Sequence, residues 1–233
     1  MPKFAVYYIP PGKSPLYKLG SAMLGYDIRN RKKIPRPAAL TAFHGFHEEW
    51  QRKARPYGFH LTIGDSIDFK PGKMAAIERE LEELLGCFKP DSVFRLDRIP
   101  SKYVGFRDTA VVVNYQPNDN MKILHTIIAS RLHPMGTGSG YLERFLKNPG
   151  ILEKPHHVQR TLKFFSHTVF DSYSPHFTLL NPFRGARRDR SRIIAFFKAR
   201  LRAYQKQIRL ASICLCLQMR QDEEWIIHRE FPL

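Results

Sequence analysis

Residues 3–9 (KFAVYYI) form a β-rich run closed by Pro10-Pro11, where a strand must stop or reach a sheet edge. Ser14-Pro15 then opens a helical pattern through residue 24, with Ser at the N-cap and Pro at the first helical position. Helical spacing continues over residues 38–53 and over 73–85, where Met74, Ile77, Leu81, Leu84 and Leu85 share a face and Gly86 ends the run. It returns over 118–132, with Met121, Leu124, Ile128 and Leu132 on one side. Strands are expected at 60–63, 93–99, 103–106 and 110–114. Residues 134–140 (PMGTGSG) are the most loop-like segment and are expected to be a mobile loop. Short helices follow at 142–146 and 155–165. The second half repeats the order of the first: a strand at 177–180, a helix at 191–201, and a closing hairpin of strands 209–219 and 225–231. The pattern predicts an α+β fold.

With 233 residues, the chain is long enough to bury about 70–75% of its unfolded surface without staples. Its cysteines, Cys87, Cys214 and Cys216, form no C-x-x-C pair, so neither a disulfide framework nor a thiolate zinc site is expected. Cys214 and Cys216 read as buried small hydrophobes. No apolar run approaches membrane-spanning length, and the first residues lack a signal-peptide core, so the expectation is a soluble, cytoplasmic monomer with no membrane partner. The net charge of +17 changes this picture in one respect, by favouring anionic partners such as nucleic acid, nucleotides or phosphorylated metabolites. Basic residues cluster at 29–33, 184–192 and 200–209. The 184–192 run reads either as a phosphate-backbone contact or, in the plainer reading, as a solvated loop.

The chemistry resides in two tripeptides, His60-Leu61-Thr62 and His176-Phe177-Thr178. Residues i and i+2 of a strand face the same way, about 6.6 Å apart at their α-carbons, so each tripeptide pairs an imidazole with a hydroxyl. That is a local kit for phosphate chemistry: a group that moves a proton and a neighbouring donor for a non-bridging oxygen. The composition predicts roughly 0.3 such tripeptides by chance, against the two found. Their separation of 116 residues, half the chain, is what a duplicated lobe predicts.

Paired H-x-T motifs in a chain of this length resemble the two-histidine (2H) phosphoesterase superfamily, which includes the RNA 2′,3′-cyclic phosphodiesterases and the 2′–5′ RNA ligase-like proteins. The opening Phe4-Ala-Val-Tyr-Tyr-Ile-Pro-Pro, Ser14-Pro15-Leu16, Leu24-Gly-Tyr-Asp27 and Arg55-Pro-Tyr-Gly-Phe-His60 are similar to a branch encoded beside phosphonate-metabolism genes. The resemblance implies a single bilobal, pseudo-twofold domain over 1–233, with two antiparallel sheets facing each other across a central cleft and helices outside. It implies hydrolysis of a cyclic phosphodiester (an RNA end, a nucleotide or a ribose cyclic phosphate) without metal or cofactor. His60 and His176 are then acid and base, in an order the sequence leaves open, and Thr62 and Thr178 are donors to the phosphate. The alternative is a basic RNA- or nucleotide-binding module on the same fold, without turnover.

Arg55 and Tyr57, just before the first motif, are candidate substrate-binding residues, as is Tyr8. Period two allows only one of Tyr7 and Tyr8 to face the cleft. Lys102 and Tyr103 are weaker candidates at a strand edge. His44 and His47 lack a third ligand and read as a solvated or capping pair, and His156-His157 as surface residues.

Overall fold

Proline at the first helical position and periodicity fix the first helix where the sequence places it, although the Ser14 hydroxyl makes no capping hydrogen bond. In this computed structural model, which describes residues 1–233 apart from Ser101, Glu153 and Gln205, α1 (Pro15–Leu24) begins after an extended Ser14 and ends at a left-handed Gly25. The strands are β1 (Lys3–Tyr8), β2 (Tyr26–Asp27), β3 (Lys32–Lys33), β4 (Leu61–Asp68), β5 (Arg95–Arg98), β6 (Val104–Arg107), β7 (Ala110–Pro117), β8 (His176–Leu180), β9 (Gln207–Arg209), β10 (Ser212–Gln218) and β11 (Ile226–Pro232). The further helices are α2 (Ala38–Thr41), α3 (Met74–Gly86), α4 (Asp119–Arg131), α5 (Gly140–Lys147), α6 (Pro155–Phe164) and α7 (Arg187–Leu201). The fold is mixed α+β, and no helix among the described residues is long and apolar enough to cross a membrane.

The strands form one antiparallel path, β11-β10-β1-β4-β8-β7-β5-β9, with β6 added beside β7 and a separate β2-β3 ladder. The two separate sheets implied by the family resemblance are therefore two halves of one hydrogen-bonded path. They meet where β4 and β8 pair at a single register position, Leu61 opposite Phe177. Each half contributes its H-x-T strand to that junction. Leu61 and Phe177 point into the core, where Phe177 stacks on Phe59 at 4.6 Å between ring centroids. Helix α1 packs behind β8, α4 behind β4, β5 and β7, and α7 against β6.

Three sequence expectations are corrected here. Residues 38–53 do not form one helix. Gly45 adopts a left-handed φ of 76°, α2 stops at Thr41, and the apolar residues gather around a buried Trp50 that packs on Phe183 at 4.5 Å. The 134–140 segment is docked rather than loose. Thr137 N–H donates to Asp68 O at 2.7 Å and Asp68 N–H to Gly138 O at 2.8 Å, while a Cβ at Gly136 would stand only 2.2 Å from Ile67. The 184–192 basic run is not all loop, because α7 starts at Arg187. The Asp189 carboxylate accepts from Ala186 N–H at that end, and Ile193, Phe197 and Leu201 carry one buried stripe.

Candidate active site

The register of the central strands places the two motifs side by side. Leu61 lies opposite Phe177, so His60 faces Thr178 across the junction and Thr62 faces His176, all four on the side away from the core. Regular antiparallel spacing puts the two histidine α-carbons about 8 Å apart. His60 immediately precedes β4, while His176 begins β8. All four side chains are half-buried.

Both imidazoles are held the same way. His60 Nδ1 lies 2.9 Å from Gly58 O, and His176 Nδ1 lies 2.9 Å from Ser174 O, each two residues back along the chain. A carbonyl only accepts, so each Nδ1 carries the proton and each Nε2 keeps a lone pair. Gly58 makes the first tether by adopting a φ of 65°, a conformation costly for any side chain. Tyr7 stacks on His60 at 4.0 Å and Tyr57 lies 5.9 Å from it, with Tyr57 in turn stacked on the buried Trp225 at 5.4 Å. Burial lowers both histidine pKa values to about 4. His176 acts as a further, smaller lowering influence on His60, and the Arg107 guanidinium does the same to His176.

Period two is resolved in favour of Tyr7. Both tyrosines are buried, but Tyr7 pairs with Thr62 on the motif face, whereas Tyr8 pairs with Leu61 and packs edge-on against Phe177. Tyr8 therefore does not join the motifs. Tyr57 does, through its contact with His60. Arg55 is half-buried two residues before it, and its guanidinium engages no acceptor among the described residues. Tyr103 lies elsewhere, donating its hydroxyl to Lys198 O at 3.0 Å under Arg98. Lys102 is exposed, and its carbonyl accepts from Asn114 Nδ2. His44 and His47 are exposed and outside any helix, and no group of three or more His, Cys, Asp or Glu among the described residues is placed to hold a metal.

The sequence reading did not find several residues beside the motifs. Register shifts on both sides of Val6 mark bulges in the β1–β4 ladder, which break the simple alternation of β4 near Asp65. The Asp65 carboxylate accepts from Ser166 Oγ and from Thr168 Oγ1 at 3.0 Å, and its charge raises the pKa of Tyr141 and contributes to that of Tyr7. Tyr173 donates to Thr62 O at 3.2 Å and stacks on His125 at 3.9 Å. Behind them two buried histidines act as clamps. His125 bridges Ile63 O and Phe170 N–H, and His133 bridges Phe164 O and Asp65 N–H. No hydrophobic periodicity marks any of these positions. Only the bulges and the long-range pairings bring them in.

No family model matches the chain, and no curated protein does. A solved structure described as that of a phosphoesterase aligns over 99% of this chain and 97% of its own, with a TM-score of 0.47 and 13% identity. At that level of likeness it assigns neither a residue nor a reaction to this chain.

Proposed function

We propose that the chain is a metal-independent cyclic phosphodiesterase that works by two-histidine acid–base catalysis. The observation that carries this reading is the matched pair. Two imidazoles on one face, each with Nδ1–H tied to a carbonyl and Nε2 left as a lone pair, alternate with two threonine side chains. One Nε2 accepts a proton from the attacking water as its oxygen bonds to phosphorus. The other, protonated, gives its proton to the departing ester oxygen. The threonines donate to the non-bridging oxygens as their charge grows. Both rings are neutral at pH 7 in the free site, and an anionic phosphodiester bound between them favours the protonation that the acid needs.

The test is a panel of 2′,3′-cyclic nucleotides, cyclic-phosphate oligonucleotides and ribose 1,2-cyclic phosphate, assayed with EDTA present. Hydrolysis of at least one that survives EDTA supports the reading. Activity that is lost with EDTA and restored by Zn²⁺ or Mn²⁺ contradicts it.

One observation favours a second reading, binding of RNA without turnover. Helix α7 presents Arg190 over Phe106 at 4.7 Å, beside a recess of about 400 Å³ lined by Phe106, Arg190 and Lys198. Cation–aromatic surfaces of this kind suit single strands. A steep salt dependence of oligonucleotide affinity with no hydrolysis of any panel member would favour it.

A further inference from the structure

Arg107 played no part in the sequence reading, yet its surroundings are those of an anion-binding residue. It ends β6 opposite Ala110 of β7. Gly105, two residues back on the same face, lies opposite Val112, and Val112 lies opposite Thr178. The Arg107 side chain therefore shares the face of the H-x-T motifs. The guanidinium reaches towards the second motif. Its Nε donates to Asn114 Oδ1 at 3.1 Å, and its Nη2 donates to Ser174 Oγ. Both partners belong to the setting of His176, because Asn114 is its ladder neighbour and the Ser174 carbonyl holds its Nδ1.

The partners are neutral, and this decides the matter. Among the described residues no carboxylate pairs with Arg107, and its Nη1 has no acceptor. Burial lowers its pKa, which marks a cation short of counter-charge. The carboxylate whose charge also reaches His176, Asp65, takes its hydrogen bonds from Ser166 and Thr168 instead. A half-buried guanidinium oriented by two neutral acceptors and lacking an anion is a fork prepared for a phosphoryl oxygen.

We propose that Arg107 binds a non-bridging oxygen of a phosphate group seated against His176 and Thr62, and so fixes where phosphorus lies relative to the imidazoles. This rests on the phosphoester reading above for its ligand, though not for its geometry.

The test uses the full chain, inorganic phosphate as the probe, and the NMR titration of the His176 ring as a site-specific readout. Phosphate is expected to raise the His176 pKa in the wild type. Arg107→Gln is expected to weaken phosphate binding at His176 at least tenfold, and Arg107→Lys to restore part of it, as a point charge without the fork. Without phosphate, Arg107→Gln should also raise the His176 pKa, because a nearby positive charge is gone. The inference is overturned if wild-type His176 does not respond to phosphate, if Arg107→Gln binds within twofold of wild type, or if its apo His176 pKa is unchanged. If phosphate binding follows Arg107 while no cyclic phosphodiester is hydrolysed, this inference stands and the proposed reaction fails.

Discussion

Replacing His125 with Gln should remove a large part of the protein's sensitivity to acid. His125 is buried, donates from Nδ1 to Ile63 O at 2.6 Å, and accepts at Nε2 from Phe170 N–H at 3.1 Å. Protonating Nε2 would set one donor against another, and burial holds the folded-state pKa at about 4, below the ordinary imidazole value of 6.5. The unfolded chain thus takes up a proton first as pH falls. The stabilisation from neutral His125 is complete above about pH 6.5 and is lost progressively as pH drops towards 4. Between pH 7.5 and 5.0 the loss from this one residue is about 2 kcal/mol. His133 contributes with the same sign, since burial lowers its pKa too, and so do His60 and His176, less strongly because they border solvent. Urea unfolding of wild type and His125→Gln at both pH values measures the difference directly. The variant starts less stable by about 1–3 kcal/mol, because one clamp bond goes unmade. The diagnostic quantity is the change between pH 7.5 and 5.0, which should shrink by about 2 kcal/mol. An unchanged pH dependence in the variant would refute the assignment of His125 as a neutral clamp.

Thr62→Val and Thr178→Val should each lower kcat by about 10²-fold while leaving thermal stability nearly unchanged, as expected for lost donors to a growing oxyanion. A kcat equal to that of the wild type in either variant would contradict the threonine role. With both histidine pKa values at about 4, the singly protonated pair becomes scarcer as pH rises, so kcat/KM should climb about tenfold per pH unit from pH 7 to 5. A flat profile across that range would contradict the pairing. Gly20→Ala should cost about 1–3 kcal/mol, because its Cβ would sit 2.2 Å from the Phe59 ring that packs under the motif junction. A thermal-unfolding midpoint within a degree of wild type would contradict that packing.

The elements read most clearly were those set by local chemistry. The Ser14-Pro15 start of α1, the Ile77-Leu81-Leu84 stripe of α3 and the Met121-Leu124-Ile128 face of α4 each follow from a few neighbouring residues. The 38–53 segment misled because Leu40, Phe43 and Trp50 have helical spacing, yet Gly45 breaks the turn and the aromatics serve a tertiary cluster instead. The motif residues were legible because strand periodicity alone puts a histidine and a threonine on one face. Whether Tyr7 or Tyr8 joined them was not, since that depends on the pairing of β1 with β4. Asp65 and Arg107 were out of reach for a related reason. One depends on bulges in a ladder, and the other on a side chain that reaches Ser174, far along the chain.

Single-turnover hydrolysis of a confirmed cyclic phosphodiester by the wild type, His60→Ala, His176→Ala and the double variant tests the central claim most directly. Each single variant should lose about 10²–10⁴-fold in rate with substrate affinity little changed, as expected for a positioned acid or base. The double variant should fall well short of the product of the two losses, because acid and base act as one unit. Full activity in either single variant, or losses that multiply in the double, would contradict the account.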